Sequence, residues 1–360
     1  MTASAPPPTT VLDLDETRQA VDACLAGFLS GKALTAAQGA PDETVGVLRR
    51  FLFSGGKRLR PLLCVCGWRA AGGQGDTAPV VQAAASLEMF HTFALIHDDI
   101  MDHSATRRGA PAVHRAMAAR YRRRGRTASQ ELGTAAAILI GDIALAWSDE
   151  LLHTAGLPLE RLAAALPTVD TMRTEVMYGQ YLDLLATADF SGGLDVPLTV
   201  MWYKAAKYTV ERPLHIGATI AGANASVLEA MTSYALPLGE AFQLRDDLLG
   251  VYGDPRRTGK SALDDLREGK HTVLVALALR NATPDQRALL RRHLGDPALN
   301  DEDAARVREV LTATGARSEV ERMIRRRGGQ AHEALLRADF PHAVTRTLHG
   351  IVGTATWRTS

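Results

Sequence analysis

Two groups of acidic residues sit on apolar helical patterns rather than in polar surface sequence. The first lies in EMFHTFALIHDDIMDHSATRRGAPAVH, residues 88–114, where an apolar run leads directly into Asp98, Asp99 and Asp102. At 100° per residue Asp98 and Asp102 share a helical face with Asp99 at its shoulder, so like charges are forced together. Such a stripe calls for an external cation. Hard oxygen donors without thiolates favour Mg²⁺ held together with substrate phosphates over zinc. The plain alternative is a helix end with surface acids, but acids at a helix C-terminus oppose its dipole. The second group is Asp246 and Asp247 in FQLRDDLLG, residues 242–250, with Gln243 one turn earlier. If both helices aim their acids into one cavity, several Mg²⁺ ions fit between them, and a diphosphate with its many anionic oxygens is the matching ligand. The implied substrate is a diphosphate ester.

Cations that could grip such an ester occur in two loops, Gly55-Gly56-Lys57-Arg58-Leu59-Arg60-Pro61 and Arg107-Arg108-Gly109. Glycine lets backbone approach an anion and arginine holds phosphate oxygens with a rigid fork. Each loop alone reads equally well as a solvated turn; beside two acid groups they point to a second, metal-free phosphate pocket. His91 stands seven residues before Asp98, on the same helical stripe and two turns deeper. The run Arg120 to Arg126 is most simply a solvated helix end, where cations suit the dipole.

The elements that must position these groups are helices. Ala, Leu, Arg and Glu dominate from Val11 onward, apolar residues recur at three-to-four spacing, and no sustained alternation marks strands. The pattern predicts an all-α protein, with residues 1–10 as a disordered leader and 11–360 as one large helical domain. Turn chemistry breaks it at Ser54 to Gly56, Gly72 to Gly75, Arg107 to Pro111, Ser191 to Gly193, Gly253 to Pro255 and Asn281 to Pro284. With 41 Lys plus Arg against 40 Asp plus Glu, the chain has no net field to attract nucleic acid or anionic membrane. Its 46% hydrophobic content supports a large aliphatic core rather than disorder. Three cysteines, Cys24, Cys64 and Cys66, are too few for a disulfide framework and fit a reducing cytoplasm, with Cys64 and Cys66 as buried packing rather than a metal site. The longest charge-free stretch, Pro213 to Leu228, is too short and too polar to span a membrane, and no secretory signal is visible at the N-terminus.

Taken together, GGKRLRP, DDIMD followed by RRG, YKAAKYTVERP at 203–213, FQLRDD, TGK and DLREGKHT resemble the trans-isoprenyl diphosphate synthases of the polyprenyl synthetase family, most closely the bacterial geranylgeranyl diphosphate synthases. The resemblance runs from Phe51 to Thr272. It implies a single large antiparallel helical bundle of isoprenoid synthase type around a central cavity, usually a homodimer, that condenses isopentenyl diphosphate with allylic diphosphates, using Mg²⁺, about three ions, with the bound diphosphate. By the same resemblance Asp98, Asp102 and Asp246 ligate Mg²⁺, with Asp99, Asp247 and Gln243 supporting that shell. Lys57, Arg60, His91 and Arg108 match residues binding isopentenyl diphosphate; Arg107, Lys204 and Lys260 match residues contacting the allylic diphosphate, with Lys270 in the same closing region. The loop from Gly253 to Lys260 is a candidate lid that keeps water from an allylic cation. The released diphosphate serves as base, so no Ser, Cys or His nucleophile is assigned.

Product length in such enzymes depends on what blocks the cavity below the first acid group. Phe93, five residues before Asp98, is bulky and Ala94, four before, is small, a pattern resembling synthases that stop at twenty carbons. A farnesyl product is the alternative, and plain core packing the alternative for Phe93. Two departures stand out: Gly250, where many relatives carry a third Asp, and Ala205, where Thr is common and a lost hydroxyl could weaken a diphosphate contact or loosen the helix bend. A terpene cyclase is disfavoured by the Asp-rich second group and the GGKRLRP pocket. A non-catalytic regulatory subunit is disfavoured because it has no need of two mutually repelling carboxylate groups.

Overall fold

The helix that ends in the first acid group is buried on almost every side. This helix, α4 (Ala78–Met101), starts with a proline in its first turn, where the missing N–H costs nothing, and buries Val80, Ala84, Leu87, Met89, Phe90 and Ile96. By length and composition it is also apolar enough to cross a membrane, yet 72% of its most apolar window lies inside the protein. It is therefore a core helix. The computed structural model describes residues 12–36, 42–187, 191–254 and 262–357.

Around α4 stand α1 (Leu14–Ala36), α2 (Asp42–Phe53), α3 (Leu59–Ala70), α5 (Val113–Arg120) and α6 (Arg126–His153), followed by α7 (Leu159–Ala186) and α8 (Asp195–Met201). After α8 the chain runs as a π-helical segment, Trp202–Glu211, into α9 (Arg212–Ala221) and α10 (Ala225–Tyr252). The rest is α11 (Asp264–Glu268), α12 (Val273–Asn281), α13 (Pro284–His293), α14 (Asp301–Ala313), α15 (Ala316–Arg337) and α16 (His342–Trp357). The all-α reading holds, with one exception. Thr106–Arg107 and Ala110–Pro111 form a two-stranded antiparallel hairpin whose turn residues Arg108 and Gly109 both have positive φ, 53° and 75°. That combination gives the turn twist that tight hairpins require.

Helix starts in the C-terminal half follow local capping chemistry. Asn224 accepts from Val227 N, Thr272 from Val275 N and Asn300 from Asp303 N. Thr283 and Gln286 form a reciprocal capping box at the break foreseen between Asn281 and Pro284.

Among the described residues three apolar clusters make up the core. One surrounds α4, another joins the end of α10 to α12, α14 and α15, and a third joins α3, α9, α10 and α16. The chain around the π segment belongs to all of them, through Tyr208 in the first, Met201 in the second and Val210 in the third. That shared anchorage fixes the segment between α4 and α10. Ala205 is 1% exposed within it, and Thr209 Oγ1 reaches the Lys204 carbonyl at 3.5 Å, so the bend forms without a hydroxyl at 205.

Cys64 and Cys66 are fully buried free thiols, with burial pushing both to about 12, as expected for packing residues. The arginine run from 120 to 126 lies at the exposed end of α5, also as expected. The leader falls outside the described residues.

Candidate active site

The last turn of α4 puts three carboxylates where the helix carbonyls already concentrate negative charge. The protein answers with its own cations. Arg107, on the hairpin, donates from Nε to Asp99 Oδ1 at 2.6 Å and from an Nη to Asp98 Oδ2 at 3.0 Å. Lys204, on the π segment, lies 3.6 Å from Asp98 and donates to Asp183 of α7 at 2.7 Å. Lys270, just beyond α11, lies 2.9 Å from Asp102 and 3.0 Å from Glu268. A π segment at such a site fits the frequent placement of these irregular turns beside functional groups.

Acids from α10 and α11 share this environment. Gln243 Nε2 donates to Asp247 Oδ1 at 2.8 Å. Burial, aided by Asp265, Asp246 and Asp183, pushes Asp247 up to about 8. Burial, with Asp102 and Asp265 nearby, pushes Glu268 to about 7. Asp102 is raised by burial and by Asp98, against the pull of Lys270. Burial works against the Lys270 ammonium, but Asp102, Asp265, Asp98 and Glu268 outweigh it and hold it well above its ordinary pKa. Because Lys270 feels Asp98 and Asp102 of α4 together with Asp265 and Glu268 of α11, the helices aim their acids at one region.

Among the described residues no three His, Cys, Asp or Glu side chains converge closely enough to hold a metal unaided. The donor set is nevertheless carboxylate oxygen from the end of α4 and from α10 and α11, without thiolate. That suits Mg²⁺, which keeps water and takes phosphate oxygens alongside one or two carboxylates. The residues present fit the ion as part of a metal-diphosphate cage.

Deeper along α4 the sign of the charge reverses. Arg60 donates to Thr209 Oγ1 at 2.6 Å and its guanidinium lies 4.2 Å from the Tyr208 ring centroid. Tyr208 OH is 3.3 Å from His91 Nδ1. Burial, then Arg60, Arg108, Arg107 and Arg58, holds His91 well below its ordinary pKa and therefore neutral. Burial pushes the Tyr208 phenol to about 12. Arg108 donates to the Gly55 carbonyl. Gly55 and Gly56 adopt φ of 121° and 127°, values that glycine tolerates, and a Cβ on Gly56 would come 2.8 Å from an Arg108 Nη. Lys57 is exposed at the tip of that loop. Beneath the loop Arg58 is buried, bridging Asp22 at 2.7 Å and Glu88 at 2.9 Å and donating to the Leu52 carbonyl at 2.7 Å.

The structure thus gathers Asp98, Asp99, Asp102, Lys204, Arg107, Gln243, Asp246, Asp247 and Lys270 around one region, and Arg60, His91 and Arg108 with the Lys57 loop around the next. Lys260 and most of the lid segment lie outside the described residues. Phe93 is half-buried, its ring 4.7 Å from His97 and 5.4 Å from Phe90, beside the half-buried Ala94. Asp265 and Glu268 lie in the DLREGKHT stretch and Tyr208 and Thr209 in YKAAKYTVERP, but none of them, nor Asp183, was given a role from sequence. For Asp183 a signal existed: Gln180 and Asp183 form a polar pair at i, i+3 in an otherwise apolar stretch of α7.

The family described as Polyprenyl synthetase matches residues 42–313. A geranylfarnesyl diphosphate synthase of Aeropyrum pernix is 32% identical over 86% of this chain and 92% of its own length. A geranylgeranyl diphosphate synthase of Saccharolobus solfataricus is 35% identical over 72% of this chain and 73% of its own. Among solved structures, a geranylgeranyl pyrophosphate synthase from Corynebacterium glutamicum, complexed with isoprenyl diphosphate and magnesium, superposes with a TM-score of 0.92 at 41% identity, covering 96% of this chain and 100% of that one.

Proposed function

The chain belongs to the polyprenyl synthetase family, and from that premise we propose that this trans-prenyl chain-elongating synthase forms geranylgeranyl diphosphate from isopentenyl diphosphate and allylic diphosphates. One observation carries the reading. An acid region and a basic region meet across the same two elements, with α4 presenting Asp98 and His91 and the π segment presenting Lys204 and Tyr208. An allylic diphosphate held with Mg²⁺ belongs at the first, and isopentenyl diphosphate at the second.

Bound Mg²⁺, about three ions held by Asp98, Asp102 and Asp246 with the diphosphate, supplies charge neutralisation for the leaving group. Arg107 keeps Asp98 and Asp99 in place, while Asp99, Asp247 and Gln243 support the ligands. Lys204 and Lys270 are within reach of diphosphate oxygens, and Lys260 is assigned to the same ligand by resemblance. Arg60, Arg108 and Lys57 hold the second diphosphate, with neutral His91 able to donate to it without adding charge. As the allylic C–O bond ionises, the double bond of isopentenyl diphosphate attacks the cation and a proton is lost to the released diphosphate. Apolar walls, Phe93 among them, exclude water that would otherwise trap the cation.

Phe93 on its His97 and Phe90 supports a floor at twenty carbons. The exposed apolar residues Ile138 and Leu139 on α6 and Tyr178, Tyr181 and Leu185 on α7 support a homodimer through these neighbouring helices. Three free thiols accord with a cytoplasmic location. The test is to supply Mg²⁺, isopentenyl diphosphate and each of the dimethylallyl, geranyl and farnesyl diphosphates, then to identify the dephosphorylated products by mass spectrometry. A linear twenty-carbon alcohol is expected. A fifteen- or twenty-five-carbon end point removes the Phe93 floor and keeps the reaction.

A further inference from the structure

The two acid groups differ in one detail of spacing. On α4, Asp98 and Asp102 stand one turn apart, so both carboxylates reach the same side. On α10, the position one turn after Asp246 is Gly250. Gly250 lies inside the helix and has no positive φ, so its backbone makes no demand for glycine, which weakens a helix interior. Its surroundings do make that demand. A Cβ at position 250 would overlap Oδ2 of Asp265 and stand 2.9 Å from Asp265 Cγ. Asp265, on α11, fills with its carboxylate the space that a side chain at 250 would need.

The placement carries charge to the region that lacks it on α10. Asp265 acts on Asp247, on Glu268 and on Lys270, and Lys270 in turn lies 2.9 Å from Asp102. We propose that Asp265 is the through-space counterpart of Asp102: it is the carboxylate that accompanies Asp246 in holding Mg²⁺ with the diphosphate, and Gly250 is the opening through which it enters. This rests on the metal-diphosphate reading above. The second acid group is then complete only when α11 is docked against α10, so metal binding and the docking of α11 support one another.

The test titrates Mg²⁺ into the full-length protein with inorganic pyrophosphate and reads binding by calorimetry and by the rise in unfolding temperature. Asp265→Asn keeps the shape and removes the charge; it raises the Mg²⁺ concentration for half effect by at least about tenfold, without lowering the unfolding temperature in the absence of Mg²⁺. Gly250→Asp places two carboxylates in one space and lowers that temperature. The double variant Gly250→Asp/Asp265→Gly moves the carboxylate onto α10 and restores the Mg²⁺ midpoint to within about threefold of the parent. An Asp265→Asn protein indistinguishable from a responsive parent overturns the assignment, as does a double variant that binds no better than Asp265→Asn. A parent protein with no Mg²⁺ response in the presence of pyrophosphate overturns the metal-diphosphate reading itself and the assignment with it.

Discussion

The acid and basic halves of the site are prepared in opposite ways. In the acid half five carboxylates have a cation of the same chain beside them: Arg107 for Asp98 and Asp99, Lys204 for Asp98 and Asp183, Lys270 for Asp102 and Glu268. In the basic half Arg58 is paired with acids, Asp22 and Glu88. Arg60 faces a hydroxyl and an aromatic ring, and Arg108 faces a carbonyl. On the proposed reading, inward ion pairs keep repelling carboxylates in a buried place until metal arrives, whereas arginines that face neutral groups stand ready for an anion. One half must exchange partners to bind, and the other only fills.

The largest expected effect tests whether the halves are separate. Asp98→Asn lowers kcat by about 10²- to 10³-fold and raises the Mg²⁺ requirement, the scale of losing a group aimed at developing charge. Arg60→Ala raises KM for isopentenyl diphosphate by about 10- to 100-fold, the worth of a charged hydrogen bond, and leaves the Mg²⁺ requirement unchanged. Steady-state kinetics with each substrate varied at several Mg²⁺ concentrations checks both. If Arg60→Ala shifts the Mg²⁺ dependence as far as Asp98→Asn does, the division into halves is wrong.

A smaller effect follows from protonation. Asp247 at about 8 and Glu268 at about 7 both stand above the ordinary carboxylate range, chiefly through burial. The folded chain therefore holds protons that the unfolded chain has released. The stability from those protons is fully present below about pH 4, where both forms are protonated, and is lost as pH rises through 7 and 8. Metal competes with the same protons. Between about pH 6 and pH 9 the metal-free protein loses unfolding temperature while Mg²⁺ with pyrophosphate binds more tightly and releases protons, seen calorimetrically in buffers of different ionisation enthalpy. Proton uptake would contradict this. His91 stays neutral throughout, so KM for isopentenyl diphosphate is flat over that interval apart from the ligand's own ionisation. The smallest effect concerns neither half: Phe93→Ala shifts the products toward longer chains by about one five-carbon unit, read by mass spectrometry.

What could be read from sequence is what is local in sequence. Asp98, Asp99 and Asp102, or Asp246 and Asp247, are neighbours on single helices, and periodicity alone put them on an apolar wall. Helix boundaries at Asn224, Thr283 and Asn300 likewise follow from capping within three residues. Asp183 joined the site only through tertiary packing, and the DLREGKHT stretch was legible as a motif without showing that Asp265 packs against Gly250 or that Glu268 meets Lys270. The π segment was hidden for a related reason, since its residues suit an ordinary helix and its bend depends on anchorage in three core clusters. In α4 the membrane-length apolar pattern and the acid terminus belong to one helix, so its acids interrupt the charge-free run by which a span is read in sequence.

Among the described residues three other than glycine have positive φ, Arg58 at 51°, His103 at 55° and Arg108 at 53°, and all flank the basic loop or the acid-bearing turn. Left-handed backbone costs an ordinary side chain on the order of 1 kcal/mol, which glycine would relieve. For thermostabilisation the three sites are unequal. His103 is exposed, and Arg115 reaches its carbonyl rather than its ring, so His103→Gly offers a gain with little to lose. At Arg108 the same substitution would firm the hairpin and remove a side chain proposed to hold the second diphosphate, and at Arg58 it would leave Glu88 buried without its cation. A variant library selected for heat resistance alone would drift toward glycine at 108 and lose turnover in doing so.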